Sequence, residues 1–305
     1  MKGGSLGAVL ALILVGAGWG ITIPLTKVVV STGYQPFGLI FWQMVIGAVI
    51  TFALLTLRGK RPFQLTRAQL GLCGVIALIG TLLPNGVSYQ VAVHLPAAVL
   101  SIVLSLIPMI AFPIALVMRN DRFSVAKLVG LALGLAGVVV LGQRDGALMQ
   151  QGLSVVWLVF ALVAPTFYAF EANLVNRTGT FGLDPVHLLF GASVIGAAVC
   201  LPLALATGQF ISPIRPYGVP EIAHVFSSVA HVLVYAGYLW LVGRAGAVFA
   251  AQVSYLVTIF GVTWAMVLLG EHVPPQLWMA LGLAMSGLFL VQPRKAGDTD
   301  APQFS

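Results

Sequence analysis

Apolar runs broken by charges, prolines and glycines divide the chain into ten stretches, near residues 6–30, 36–57, 69–91, 96–118, 124–142, 153–176, 185–207, 221–242, 245–269 and 276–292. About 20 mostly apolar residues, rising 1.5 Å each, cross the roughly 30 Å hydrocarbon layer of a bilayer. Each stretch therefore reads as one transmembrane helix, and the fold class predicted is an all-α membrane protein. The opening run, MKGGSLGAVLALILVG, begins like a signal peptide. It continues past Trp19 to near Val30, longer than the apolar core of a cleavable signal, and is read as a retained first span.

Composition agrees with the pattern. Hydrophobic residues make up 59% of the 305, charged residues 8%, and the mean hydropathy is +1.03. A soluble chain carries about 25% charged residues, because its surface faces water. The net charge of +7 sits in the short breaks between apolar runs rather than along one face, which argues against a nucleic-acid partner. Cys73 and Cys200 lie deep in apolar segments and read as packing residues.

Loop charges set orientation. With a cytoplasmic N-terminus, the inner side receives Lys2, Arg58, Lys60, Arg61, Arg67, Arg119, Arg122, Lys127, Arg177, Arg244, Arg294 and Lys295. The outer side receives Arg144 and Arg215, with Lys27 near the outer end of the first span. Positive residues favour the cytoplasm, so both termini are placed there, in an inner-membrane, multi-pass protein.

The chain is also duplicated. A shift of 150 residues lays LPAAVLSIVLSLIPM (95–109) on AGAVFAAQVSYLVTI (245–259), and Asp121 on Glu271. Five spans per copy is an odd number, so the second copy enters the membrane upside down, as in many secondary transporters. The division expected is 1–150, 151–294 and a disordered cytoplasmic tail, 295–305. Small residues four apart (Gly16 and Gly20, Gly130 and Gly134, Gly282 and Ser286) suit close helix packing.

Three features resemble a known family: AGWGITIPLTK (17–27), LPAAVLSIVLSLIPMIAFPIAL (95–116) and WAMVLLGEHVPPQLWMALGLAMSGLFLV (264–291), the last with a Gly-Glu turn and closing helix. On these the chain resembles the EamA family of the drug/metabolite transporter (DMT) superfamily. The resemblance implies ten helices in two inverted five-helix repeats around a central cavity. It also implies transport, commonly export, of amino acids or other small metabolites.

Candidate site residues follow from polar groups at membrane depth, which are rare and tend to face an interior or a cavity. Glu171 falls about 9 Å inward of the midplane of its span. It either faces a cavity or reaches water from the span's end. Depth separates it from Lys27, which reads as an outer residue snorkelling to water. On the eighth span His224, His231, Tyr235 and Tyr238 share one face with Ser227 and Ser228. His231, near the midplane, suits either proton coupling or a packing role. Trp19, Tyr168 and Tyr255 are candidate aromatic walls. The substrate-binding set is Trp19, Tyr168, Glu171, His231, Tyr235 and Tyr255. Pro24, Pro84, Pro108, Pro113 and Pro165 fall within spans, where broken helices expose backbone to a cavity.

The reading is a secondary transporter that exports a small metabolite by alternating access, with the bilayer around it and the proton as coupling ion. It needs no cofactor and no metal, and acts as a monomer or homodimer. Two alternatives remain: a lipid-linked carrier flippase, and an intramembrane enzyme. The serine of GASVIG (191–196) with His231 or His224 suggests a serine protease, but Val194 stands where that chemistry wants a glycine. No metalloprotease or phosphate-loop motif occurs.

Overall fold

The computed structural model describes residues 3–143, 154–214 and 216–292. Lys2, Arg144, Arg215, Arg294, Lys295 and the tail 295–305 lie outside the described residues. Among the described residues every regular element is helical. In chain order these are α1 (Gly3–Gly20), α2 (Thr22–Val30), α3 (Pro36–Leu57), α4 (Arg67–Ile76), a π-helical stretch (Ala77–Leu82), α5 (Leu83–His94), α6 (Ala97–Leu104), α7 (Ile107–Val117) and α8 (Val125–Leu141). The second half has α9 (Val155–Ala161), α10 (Val163–Thr178), α11 (Pro185–Ala206), α12 (Val219–Ala245), α13 (Ala247–Ala250), α14 (Val253–Leu269) and α15 (Pro275–Val291).

Seven helical stretches are long and apolar enough to span a bilayer: Leu6–Val30, Pro36–Leu57, Arg67–His94, Ala97–Val117, Val155–Thr178, Pro185–Ala206 and Val219–Ala245. Three shorter apolar helices, α8, α14 and α15, have 17 residues each. The protein is a multi-pass membrane protein. Its outward-facing residues are large and apolar, as lipid contact requires: Leu14 is 70% exposed, Val117 85% and Val139 68%.

Several spans are interrupted, and proline explains where. It lacks an N–H and its ring crowds the carbonyl four residues earlier. The α1–α2 break at Ile21 precedes Pro24, the α9–α10 break at Leu162 precedes Pro165, and the α6–α7 break at Ser105 and Leu106 precedes Pro108. The π stretch ends just before Pro84. Pro113 and Pro202, by contrast, sit inside the continuous helices α7 and α11.

The halves interlock by exchange of equivalent pairs. α8 packs along α15 and α3 along α11; α1 packs on α14 as α10 packs on α7. Close approach depends on glycine. Gly16 and Gly20 of α1 meet Leu256, Phe260 and Gly261 of α14, while Gly130 and Gly134 of α8 meet Gly287 and Met109. Gly282 departs from the expectation. Nothing lies within 4 Å of the place its Cβ would occupy, and Ser286 is exposed. The face of α15 that meets α8 is centred on Gly287, one residue further along and so turned by about 100°.

Candidate functional site: a neutral cavity ringed by broken helices

The interruptions surround a cavity of about 560 Å³, within the roughly 300–1,000 Å³ usual for small-molecule sites. Trp19, at the end of α1, and Thr22 and Thr26 of α2 form one wall; Ser105 and Pro108 of the α6–α7 break and Phe160, Ala164 and Tyr168 of α9–α10 form others. α3 contributes Gln43, α5 contributes Asn85, Ser88 and Tyr89, α12 contributes His224, Ser227, Ser228, His231 and Tyr238, and α14 contributes Ser254 and Thr258. Among the described residues α4, α8, α11 and α15 give it none. Irregular backbone is tolerated at membrane depth where it lines such a space.

Chemically the wall is mostly apolar, and the polar groups set into it are uncharged. Among the described residues lining it there is no Asp, Glu, Lys or Arg. Its polar groups are hydroxyls, two amides, two imidazoles and an indole. The amides are tied together. Gln43 Oε1 accepts from Asn85 Nδ2 at 3.1 Å and from the Tyr89 hydroxyl at 2.7 Å, and the Tyr168 hydroxyl donates to Asn85 Oδ1 at 2.8 Å. This chain runs from α3 through α5 to α10, and so joins the two halves.

The histidines have fixed partners. Trp19 Nε1 donates to His231 Nδ1 at 3.3 Å. An indole N–H can only donate, so Nδ1 is a bare acceptor and neutral His231 carries its hydrogen on Nε2. His224 Nε2 faces the Leu39 carbonyl at 3.0 Å, which makes that nitrogen the donor. Ser228 Oγ bonds back to the His224 carbonyl at 2.8 Å. Among the described residues no three His, Cys, Asp or Glu side chains gather as a metal site would require.

The six residues singled out in the sequence divide. Trp19, Tyr168 and His231 line the cavity. Tyr235 is not in the wall; its ring stands 6.5 Å from that of Trp19 in an edge-on contact. Tyr255 also lies outside the wall, against the main hydrophobic core, and its buried hydroxyl has no partner among the described residues. Glu171 stands behind the wall. Its carboxylate fills the space beside Gly80 in the π stretch, where an added Cβ would come within 2.5 Å of Oε1. Gln43, Asn85 and Tyr89 were missed by the sequence reading. An isolated amide in an apolar span was the available signal.

Lys27 is tied to backbone. Its Nζ donates to the carbonyls of Ala92 at 2.7 Å and Val93 at 3.0 Å, capping the end of α5. Glu271 accepts from the backbone N–H groups of Ala97 at 2.7 Å and Ala98 at 2.9 Å, at the start of α6. At the other end of the bundle, Arg177 Nη1 donates to the Met118 carbonyl at 2.5 Å and Asn120 Nδ2 to the Asn173 carbonyl at 2.7 Å. Lys60 pairs with Asp184, the N-cap of α11. Partial burial alone would raise the Asp184 carboxyl, but the Lys60 ammonium and the Val186 N–H outweigh it and hold the group below the usual carboxylate range.

Comparison with known proteins places this architecture. A crystal structure 20% identical in sequence superposes with a TM-score of 0.64, covering 93% of this chain and 96% of the other. A probable terminal-alkyne amino-acid exporter of Streptantibioticus cattleyicolor is 24% identical over 306 residues, 95% of each chain. A profile of the EamA-like transporter family matches residues 6–143 and again 155–292, two segments that start 149 residues apart (155 − 6). The chain belongs to that family, within the DMT superfamily.

Proposed function

We propose that this chain is a secondary transporter that exports a small amino-acid-like metabolite across the inner membrane. In this reading residues 1–150 and 151–294 are inverted halves of five spans each, ten in all, with both termini cytoplasmic. They alternate access to the cavity between them. The observation that carries the reading is the uncharged, hydrogen-bonding wall of that cavity. A zwitterion has no net charge, so it needs donors for one pole and acceptors for the other but no counter-ion. The exchange of equivalent helix pairs between halves supports a two-fold relation, and the exporter named above supports the cargo class.

Trp19, Tyr168 and His231 are then cargo contacts, with Tyr235 holding the Trp19 ring. Glu171, behind Tyr168, is the proton-coupling group. Tyr255 packs the core.

Efflux from cells loaded with labelled amino acids tests the reading. Expression of the chain should speed loss of at least one amino acid over a vector control. Equal loss for all of them would overturn it.

A further inference from the structure

The amide pair in the cavity has more donors than its internal bonds use. An amide oxygen has two lone pairs, and Gln43 Oε1 has both engaged, by Asn85 Nδ2 and by Tyr89. Asn85 Oδ1 is turned to the Tyr168 hydroxyl, which points Nδ2 at Gln43. Among the described residues both N–H bonds of Gln43 Nε2 and the second of Asn85 Nδ2 are left over. Both side chains line the cavity. A wall that places uncommitted N–H groups together, with no carboxylate of its own, is a receptor for an anionic oxygen pair, since charge-assisted N–H···O⁻ bonds are the strong ones.

We propose that Gln43 and Asn85 form the pole of the cavity that takes the α-carboxylate of a zwitterionic cargo, an inference that rests on the amino-acid export proposed above. Tyr168, a cargo contact through its ring in that reading, also has a positioning task through its hydroxyl. It reaches across from the second half and sets which way the Asn85 amide points. Backbone acceptors are available for the ammonium. Pro108 and Pro165 remove the N–H groups that would have bound the Leu104 and Ala161 carbonyls, and Leu104 and Ala161 both stand in the wall.

The test uses L-propargylglycine, its methyl ester and its N-acetyl derivative as probes, with binding to the full chain in micelles measured by calorimetry. The wild type should bind the free acid about tenfold or more tighter than the ester, the worth of one charge-assisted contact. Gln43→Glu, nearly isosteric, replaces donors with acceptors and should bring that ratio close to one. Asn85→Leu should do the same, while rejection of the N-acetyl derivative persists in both. A ratio within each variant is insensitive to partial loss of folded protein. An unchanged acid-to-ester ratio in both variants overturns the inference, as does loss of N-acetyl rejection instead. If the wild type binds none of the three probes, the inference is overturned, while the export reading falls only if the chain also speeds the efflux of no amino acid.

Discussion

Lys27 and Glu271 grip the two flanks of a single tight turn. The ammonium holds the last carbonyls of α5, at Ala92 and Val93, and the carboxylate holds the first N–H groups of α6, at Ala97 and Ala98. Leu95 and Pro96 are the bend between them. Each charge meets the helix end whose partial charge is opposite. One comes from α2 and the other from the turn after α14, so the hairpin is fastened to both halves.

Loss of either grip should therefore loosen the turn. Glu271→Ala removes an N-terminal cap worth about 1–2 kcal/mol, and Lys27→Met strips the carbonyl cap while keeping the stem. Both should lower the melting temperature in micelles, and Glu271→Gln should fall between Glu271→Ala and wild type. Equal melting of all four proteins would show that the contacts carry no stability.

Glycine at 287 and glycine at 282 should behave oppositely. A Cβ at 287 would lie 2.5 Å from the Gly130 carbonyl oxygen and 2.9 Å from Met109 Sδ, whereas one at 282 meets nothing within 4 Å. Overpacking against backbone costs about 1–3 kcal/mol, so Gly287→Ala should destabilise. Gly282→Ala should be neutral or should stabilise by about 0.5–1 kcal/mol through the helix preference. Thermal unfolding of the two variants side by side decides it.

Glu171 and Gly80 should act as a pair in transport. Glu171→Gln preserves size but removes a proton site, so flux should stop responding to an imposed pH gradient while insertion stays normal. Gly80→Ala pushes on the carboxylate from 2.5 Å and should impair the same response without touching the cavity wall. Gradient-dependent flux in proteoliposomes, unchanged in Glu171→Gln, would rule out this coupling role.

The Lys60–Asp184 contact should leave a signature near neutral pH that fades in acid. Asp184 titrates below its ordinary value in the folded chain, so its contribution is present above the unfolded pKa, about 3.9, and is lost as pH falls through the lowered value. Lys60→Met should therefore lie below wild type at neutral pH and converge with it as pH falls through the Asp184 titration. Near pH 7 the change should stay under about 1 kcal/mol, as for other partly exposed pairs. Melting temperatures from pH 3 to 7 measure this, and superimposable curves would refute it.

How far the sequence led depended on how local each feature was. The apolar runs, the duplication and the proline breaks at 24, 84, 108 and 165 depend on neighbours along the chain, and they were legible. So was the polar face of α12, where residues seven apart return to the same side: His224, His231 and Tyr238 all reach the cavity. The network of Gln43, Asn85 and Tyr168 was not legible, because its members come from three helices and acquire meaning only when packed. The same holds for Lys27, whose partners are backbone carbonyls 65 and 66 residues away. Glu171 stood out as a carboxylate in an apolar span, but no pattern in its own helix could place it against a glycine of the π stretch.

The separation between helices that line the cavity and helices that do not has an evolutionary consequence. α8, α11 and α15 carry the frame, yet among the described residues they hold no wall position. Part of the architecture is therefore written at addresses in the gene that carry no wall residue. On the proposed reading, a lineage that exchanged Gln43, Asn85 or His231 would acquire a new cargo while the Gly130–Gly287 seam stayed as it is. Relatives with similar shape and little shared sequence are what such a division of labour produces.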